Sequence, residues 1–269
     1  MGVDGYHRRM SDERQYHIGF GRADLGAEPP TIVLLSGDPN RSTHIATDKL
    51  RNHRVLSENR GLNSYLAELP GGQPVLCATS GMGAPSASIV LNELAQVGVR
   101  TVIRIGTTGS IQAHVKVGSI VISAAALCRQ GAAADVAPVE FPAVADPFLT
   151  VRLAETATRL GITHHVGITA SVDTFFEGQE RTQSSANPTL LRHLQGMTEE
   201  FRALGILNYE MEAGTVFKLG SVYGMRAGCV CAVVAQRTVG EQVVTTVKDD
   251  AVNHAIDVAI GAADGWMNE

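Results

Sequence analysis

Short apolar runs rich in valine and isoleucine recur along the chain, and stretches with helical periodicity separate several of them. The runs at 31–36, 74–79, 101–106, 118–123, 164–170 and 228–235 predict strands. The clearest helix is 147–160, where Leu149, Leu153, Ala157 and Leu160 form one stripe and Gly161 supplies the stop. Further helices are expected over 42–51, 85–97, 188–204, 212–223 and 249–264. Strands mixed with helices in this way predict an α/β fold with a central sheet covered by helices. No repeat, low-complexity block or linker divides the chain. One domain over 16–269 is therefore expected, behind a polar N-terminal segment, 1–15. The polar stretch 178–188 reads as a loop, either a flap or a surface connection.

One apolar strand carries a charge. In Thr101-Val102-Ile103-Arg104-Ile105-Gly106-Thr107-Thr108-Gly109 a guanidinium sits near the end of a run that should be buried. Arginine stays charged in proteins, so a buried one requires an anion beside it. No carboxylate lies in this stretch, and the small hydroxylated residues that follow leave room for a ligand with oxygens. Read alone, the run fits equally well a half-exposed strand whose arginine pairs with a distant Asp or Glu.

The surroundings favour a ligand. The run Thr31-Ile32-Val33-Leu34-Leu35-Ser36 ends in Gly37-Asp38-Pro39-Asn40-Arg41. A strand that leaves through a glycine turn into a helix aims backbone N–H groups at an anion, and Arg41 adds a second guanidinium. Gly81-Met82-Gly83-Ala84-Pro85-Ser86 is a third such exit. Each alone is ordinary turn chemistry. Together, with two arginines among them, they point to an oxyanion site at one edge of a sheet.

Composition narrows the function by exclusion. The 269 residues are 44% hydrophobic, enough for one large core, and the formal charge is −5 with scattered basic residues, unlike a nucleic-acid surface. No apolar run is long enough to cross a bilayer, and residues 1–15 lack the apolar block of a secretory signal. A cytoplasmic protein is expected, with no nucleic-acid or membrane partner. Cys77, Cys128, Cys229 and Cys231 read as buried reduced thiols, the last two on one strand face. The nine histidines show no ligand spacing, so no metal is expected. Walker A, dinucleotide GxGxxG and GxSxG signatures are absent. Arginines that grip an anion, with no nucleophile of the protein's own, suggest that the anion is the nucleophile.

Three further segments carry chemistry. Asp173-Thr174-Phe175-Phe176-Glu177-Gly178-Gln179-Glu180-Arg181 sets aromatic faces beside an amide and a guanidinium. Asn208-Tyr209-Glu210-Met211-Glu212-Ala213 supplies two carboxylates two apart, and Ala235-Gln236-Arg237-Thr238 ends a late strand with another arginine. Blander readings exist for each. Glu212 can simply cap the helix after it, at least one of Phe175 and Phe176 can be core, and Gln179 and Arg181 can lie on a solvated loop.

The segments 37–41, 104–109, 208–212 and Glu140-Phe141-Pro142-Ala143-Val144-Ala145-Asp146 closely resemble the pyrimidine-specific branch of the nucleoside phosphorylase family. The resemblance runs from about residue 16 to 266, with the motifs in the same order. It implies a single-domain α/β sandwich with a central mixed β-sheet flanked by helices. It also implies cytoplasmic homohexamers built from dimers, acting in pyrimidine salvage. The implied reaction is reversible phosphorolysis of uridine to uracil and ribose 1-phosphate, with phosphate as co-substrate and no cofactor. By the same resemblance Gly37, Arg41, Arg104 and Thr107 hold phosphate, with Arg60 of a neighbouring subunit closing the site. Glu212 and Thr107 hold the ribose, Met211 packs on the sugar, and His17 from the neighbour reaches the 5′-hydroxyl. Phe175, Gln179 and Arg181 hold uracil, with Thr108, Gly109 and Arg237 nearby. Glu212, Arg104 and Arg181 are then the catalytic residues.

Two departures stand out. Family members place after the neighbour's arginine a glutamate that helps bind a monovalent cation between subunits. Here Gly61 follows Arg60 and offers no side-chain ligand. The loop 183–188 also departs from the family pattern. The alternatives on the same fold are a purine nucleoside phosphorylase or a nucleosidase, and a non-catalytic nucleoside-binding protein is the alternative from another class. Purine enzymes of this branch carry an aspartate after the late strand, where this chain has Gln236-Arg237-Thr238.

Overall fold

In a computed structural model, which describes residues 10–240 and 242–266, the apolar runs form one mixed sheet. Among the described residues its strands are β1 (Ile32–Ser36), β2 (Arg51–Ser57), β3 (Ser64–Glu68), β4 (Pro74–Thr79), β5 (Thr101–Ser110), β6 (Ile120–Arg129), β7 (His164–Val172), β8 (Asn208–Glu210) and β9 (Arg226–Gln236). Their spatial order is β2-β3-β4-β1-β5-β8-β7-β6-β9, and β9 also pairs with β5, which closes the last five strands into a ring.

Strand β5 organises the molecule. On one side β9 runs parallel to it over its whole length. On the other, β1 runs parallel from Thr101 to Ile105, and β8 takes over antiparallel at Gly109 and Ser110. The gap between the end of β1 and the start of β8 lies beside Gly106, Thr107 and Thr108. Strands β1, β5 and β9 are buried on both faces, which is why they read as continuous apolar runs.

Helices cover both faces. They are α1 (Pro39–His44), which continues as a π-helical turn at Ile45–Lys49, α2 (Ala84–Gln96), α3 (Gly131–Ala134), α4 (Pro147–Arg159), α5 (Met197–Ala203), α6 (Ala213–Val222) and α7 (Lys248–Ala263). Leu34, Ile103, Ile105 and Val230 pack with Leu149 and Leu153 of α4 and Ile256 and Ala259 of α7. Val33, Leu35, Val102 and Cys229 face the other way, toward Leu91 and Leu94 of α2 and Val216 and Phe217 of α6. The result is the expected single-domain α/β sandwich. No helix among the described residues is long and apolar enough to cross a membrane.

Several expectations need correction. The helix expected over 188–204 is only a 3₁₀ turn, Arg192–Leu194, followed by α5. Gly196, at φ +80°, starts α5, and only Met197 and Phe201 of that helix are buried. Leu160 lies past the end of α4 and is exposed rather than part of its buried stripe. Strands β2, β3 and β8 were not expected. Of the polar N-terminal segment 1–15, residues 1–9 lie outside the described residues. Ser11 in the remainder is hydrogen-bonded onto the domain through the carbonyl of Gln96. Cys229 and Cys231 share a strand face as expected, their sulfurs 3.6 Å apart, and all four cysteines are free thiols.

Candidate active site

Parallel strands β1, β5 and β9 end on the same side of the sheet, where the β8–α6 turn and the loop after β7 meet them. Such strand ends gather ligands because turns and helix N-termini converge there. They enclose a cavity of about 420 Å³. Gly37, Arg41, Arg104, Thr107, Thr108, Gly109, Phe175, Gln179, Arg181, Met211 and Glu212 all line it. So does Glu210, one of the two carboxylates of the 208–213 segment, and so do Val243 and Lys248 from the approach to α7, two residues that no sequence feature singled out.

Arg104 is buried at the centre, and carboxylates absent from its own stretch reach it from the β8–α6 turn. Its Nε donates to Glu210 Oε2 at 3.2 Å, and its Nη2 donates to Glu212 Oε2. A ligand is therefore not its only counter-charge. Nη1 is buried and has no hydrogen-bond partner among the described residues. Gly106 is small for the arginine's sake as much as a ligand's. A Cβ there would stand 3.0 Å from Nη2 of Arg104 and 2.8 Å from the Cys231 sulfur. Arg41 approaches from α1, whose N-cap Asp38 accepts from the Asn40 N–H at 2.9 Å. Its Nη1 donates to the carbonyl of Ile105 at 3.1 Å.

Two cations and two carboxylates thus share one buried space. Burial lowers the Arg41 pKa, and the charge of Arg104 acts the same way. Burial works against charge on Arg104 too, but Glu212 and Glu210 outweigh it and hold that guanidinium above its ordinary range. Burial pushes Glu212 above the usual carboxylate range; Arg104 opposes the shift and Glu210 adds to it.

Glu210 and Glu212 divide the work at the start of α6. Glu212 occupies the N-cap position, yet its side chain makes no capping bond. Its Oε1 instead accepts from the Gly83 N–H at 2.5 Å, and its Oε2 faces Arg104. The cap is Glu210, whose Oε2 accepts from the N–H groups of Glu212 and Ala213, each at 2.8 Å, while Oε1 accepts from the Ser171 hydroxyl. Sequence reasoning assigned Glu210 no role. The signal was its spacing of two from Glu212, which brings both carboxylates onto Arg104.

At the other end of the cavity Gln179 and Arg181 are each 3% exposed, which rules out a solvated loop. Arg181 Nε donates to Gln179 Oε1 at 3.2 Å, and its guanidinium carbon lies 4.1 Å from the centre of the Phe175 ring. Phe175 and Phe176 meet edge to face and are both exposed, so neither is core. Arg237 does not line the cavity; it donates to the carbonyls of Gln179 and Glu180 at 2.8 and 3.3 Å and braces their loop from the end of β9. The Thr108 hydroxyl donates to the carbonyl of Tyr209 at 2.5 Å and accepts from Asn208 at 2.7 Å. That of Thr107 has no partner among the described residues.

Arg60 and His17 lie outside the cavity of their own chain. Arg60 is exposed on a left-handed turn at φ +58°, followed by Gly61 at φ +75°. His17 is held by Glu93 of α2, with Nδ1 at 2.6 Å from the carboxylate.

A sequence model described as the phosphorylase superfamily matches residues 31–263. The uridine phosphorylase of Escherichia coli (strain K12) is 41% identical over 255 residues, covering 94% of this chain and 98% of its own. That of Haemophilus influenzae is 39% identical over 253 residues, with the same two shares. The uridine phosphorylase of Thermococcus kodakarensis is 38% identical over 242 residues, 89% of this chain and 83% of its own.

Proposed function

Because the chain belongs to the phosphorylase superfamily, we propose that it catalyses reversible phosphorolysis of uridine to uracil and ribose 1-phosphate. The observation that carries this reading is Arg104: its unpartnered Nη1 and the nearby Arg41 suit a phosphate, while its other nitrogens hold two carboxylates at the same spot. A cation gripping one substrate is thereby tied to the acid that meets the other.

The chemistry follows from where charge develops. As the bond from C1′ to N1 of uracil breaks, its electron pair leaves with the base and positive charge grows on the sugar. Gln179 and Arg181 match the uracil carbonyls and ring N–H, and the fixed cation of Arg181 stabilises the departing uracilate. Glu212 accepts hydrogen bonds from the ribose hydroxyls, which strengthen as the oxocarbenium forms. Phosphate, held by Gly37, Arg41, Arg104 and Thr107, bonds through one oxygen to C1′ from the opposite face, and its placement supplies the proximity term. Met211 packs on the sugar. In this reading the enzyme is a cytoplasmic homohexamer in which a neighbouring subunit lends Arg60 to the phosphate and His17 to the 5′-hydroxyl.

A purine enzyme on this fold is disfavoured because the position after the late strand carries Arg237, committed to bracing the Gln179 loop. The test is base choice. Uridine should be cleaved with a kcat/KM at least about 100-fold above that for inosine or adenosine, since a mismatched base leaves the buried amide and guanidinium unpaired. Comparable values for inosine would overturn the pyrimidine assignment.

A further inference from the structure

One carboxylate ties down the segment that precedes β1. The Glu93 side chain is 11% exposed, and its oxygens accept from the backbone N–H groups of His17 at 3.1 and 3.2 Å and of Ile18 at 2.8 Å. The same carboxylate stands 2.6 Å from Nδ1 of the His17 ring. An ionised carboxylate only accepts, so Nδ1 carries the hydrogen and Nε2 is left as the free nitrogen. Nε2 has no partner among the described residues. The ring is 30% exposed and lines a groove of about 570 Å³ outside the cavity described above.

The surroundings make this a braced ledge. Asn59 Nδ2 donates to the carbonyls of both Tyr16 and His17 at 2.9 Å. The next residue, Arg60, lies 5.9 Å from the centre of the Tyr16 ring, which in turn meets the His17 ring edge to face at 4.8 Å. A neutral acceptor would satisfy the two backbone N–H groups. What a largely buried negative charge adds, against its desolvation cost, is a fixed tautomer and orientation of the imidazole.

We propose that Glu93 is a positioning residue: it holds His17 with the hydrogen on Nδ1, so that Nε2 accepts a hydrogen bond from the 5′-hydroxyl of a nucleoside bound in a neighbouring subunit. This rests on the shared-site reading above. The test compares kcat/KM for uridine and for 5′-deoxyuridine, which lacks that hydroxyl, in the native protein, His17→Ala, Glu93→Gln and the double variant. His17→Ala and Glu93→Gln should each lower the uridine value about five- to tenfold, the worth of one hydrogen bond. Neither should change the value for 5′-deoxyuridine, and the double variant should be no worse than His17→Ala. Glu93→Asp keeps the charge but withdraws the carboxylate by one methylene, and should show the same uridine-selective loss if the Gln variant fails to fold. Equal losses on both substrates in the Glu93 variants, or none on uridine, overturn the proposal while leaving the role of His17 intact. If His17→Ala itself does not separate the two substrates, the shared-site reading falls and the proposal with it.

Discussion

Replacing Glu210 by glutamine keeps the shape of the β8–α6 turn and removes one charge, which isolates what that carboxylate does for Arg104. In the native protein Oε2 of Glu210 collects the N–H groups of Glu212 and Ala213 and Nε of Arg104, while Oε1 takes the Ser171 hydroxyl. A glutamine can turn its carbonyl to the two amides and its NH₂ to Ser171, so the cap survives. Removing one partner of a buried ion pair costs about 3–5 kcal/mol when the other is left alone. Arg104 is not left alone, because Glu212 still faces it. The loss should therefore be nearer the roughly 1.5–3 kcal/mol of a single charge-assisted hydrogen bond.

That energy should appear in two places. The melting temperature at fixed protein concentration should fall. With only a neutral carbonyl left at its Nε, Arg104 would then have Glu212 as its one facing carboxylate and compete with the ribose for it, so kcat/KM for uridine at saturating phosphate should drop about ten- to hundredfold, at about 1.4 kcal/mol per factor of ten. Steady-state uracil release and thermal unfolding on the same preparation make the measurement. Native values of both in Glu210→Gln would refute the role assigned to Glu210.

Glu212→Gln should lower kcat more than it raises the KM for phosphate, since Glu212 acts on the sugar as charge develops. Burial raises its pKa, and the ionised form is the one that accepts from ribose, so activity should fail as pH drops through a value above the ordinary glutamate range. A kcat/KM profile whose acidic limb stays within that range would contradict this. Gly61 offers no carboxylate, so exchanging potassium for sodium at constant ionic strength should leave the melting temperature nearly unchanged; a potassium-specific rise would show a cation site built from other groups. Arg60→Ala and Glu212→Ala should each be nearly inactive as homo-oligomers, yet regain activity in mixed oligomers, where some sites combine both native residues across a two-fold interface. Verified mixed oligomers no more active than their parents would place Arg60 in its own subunit's chemistry or in none.

What was legible in the chain was whatever burial wrote into it. Strands β1, β4, β5 and β9 are covered on both faces, so their apolar runs announce them. Arg104 stood out because such a run should not hold a guanidinium, whereas the first helix starts at Pro39 behind the Asp38 cap, three residues before the expected 42–51. Strand β2 was illegible because Arg51, Asn52, His53 and Arg54 are exposed on a sheet edge, where polar residues discourage further pairing. Strand β8 has three residues and exists because β5 and β7 flank it, a tertiary fact with no local signature. The same holds at the site. The carboxylates opposite Arg104 lie far along the chain, and only the closed ring of strands brings them to it. A core place for at least one of Phe175 and Phe176 was an open reading of the sequence, but both are exposed, and Phe175 lines the cavity.

The most direct measurement follows uridine, phosphate and both products together in one reaction, by chromatography for the bases and phosphorus NMR for the phosphates. We expect uracil and ribose 1-phosphate to appear in equal amounts, only when phosphate is present, and ribose 1-phosphate with uracil to regenerate uridine. Uracil released with free ribose in the absence of phosphate, or no uracil at all, would contradict a phosphorolytic site built on Arg104.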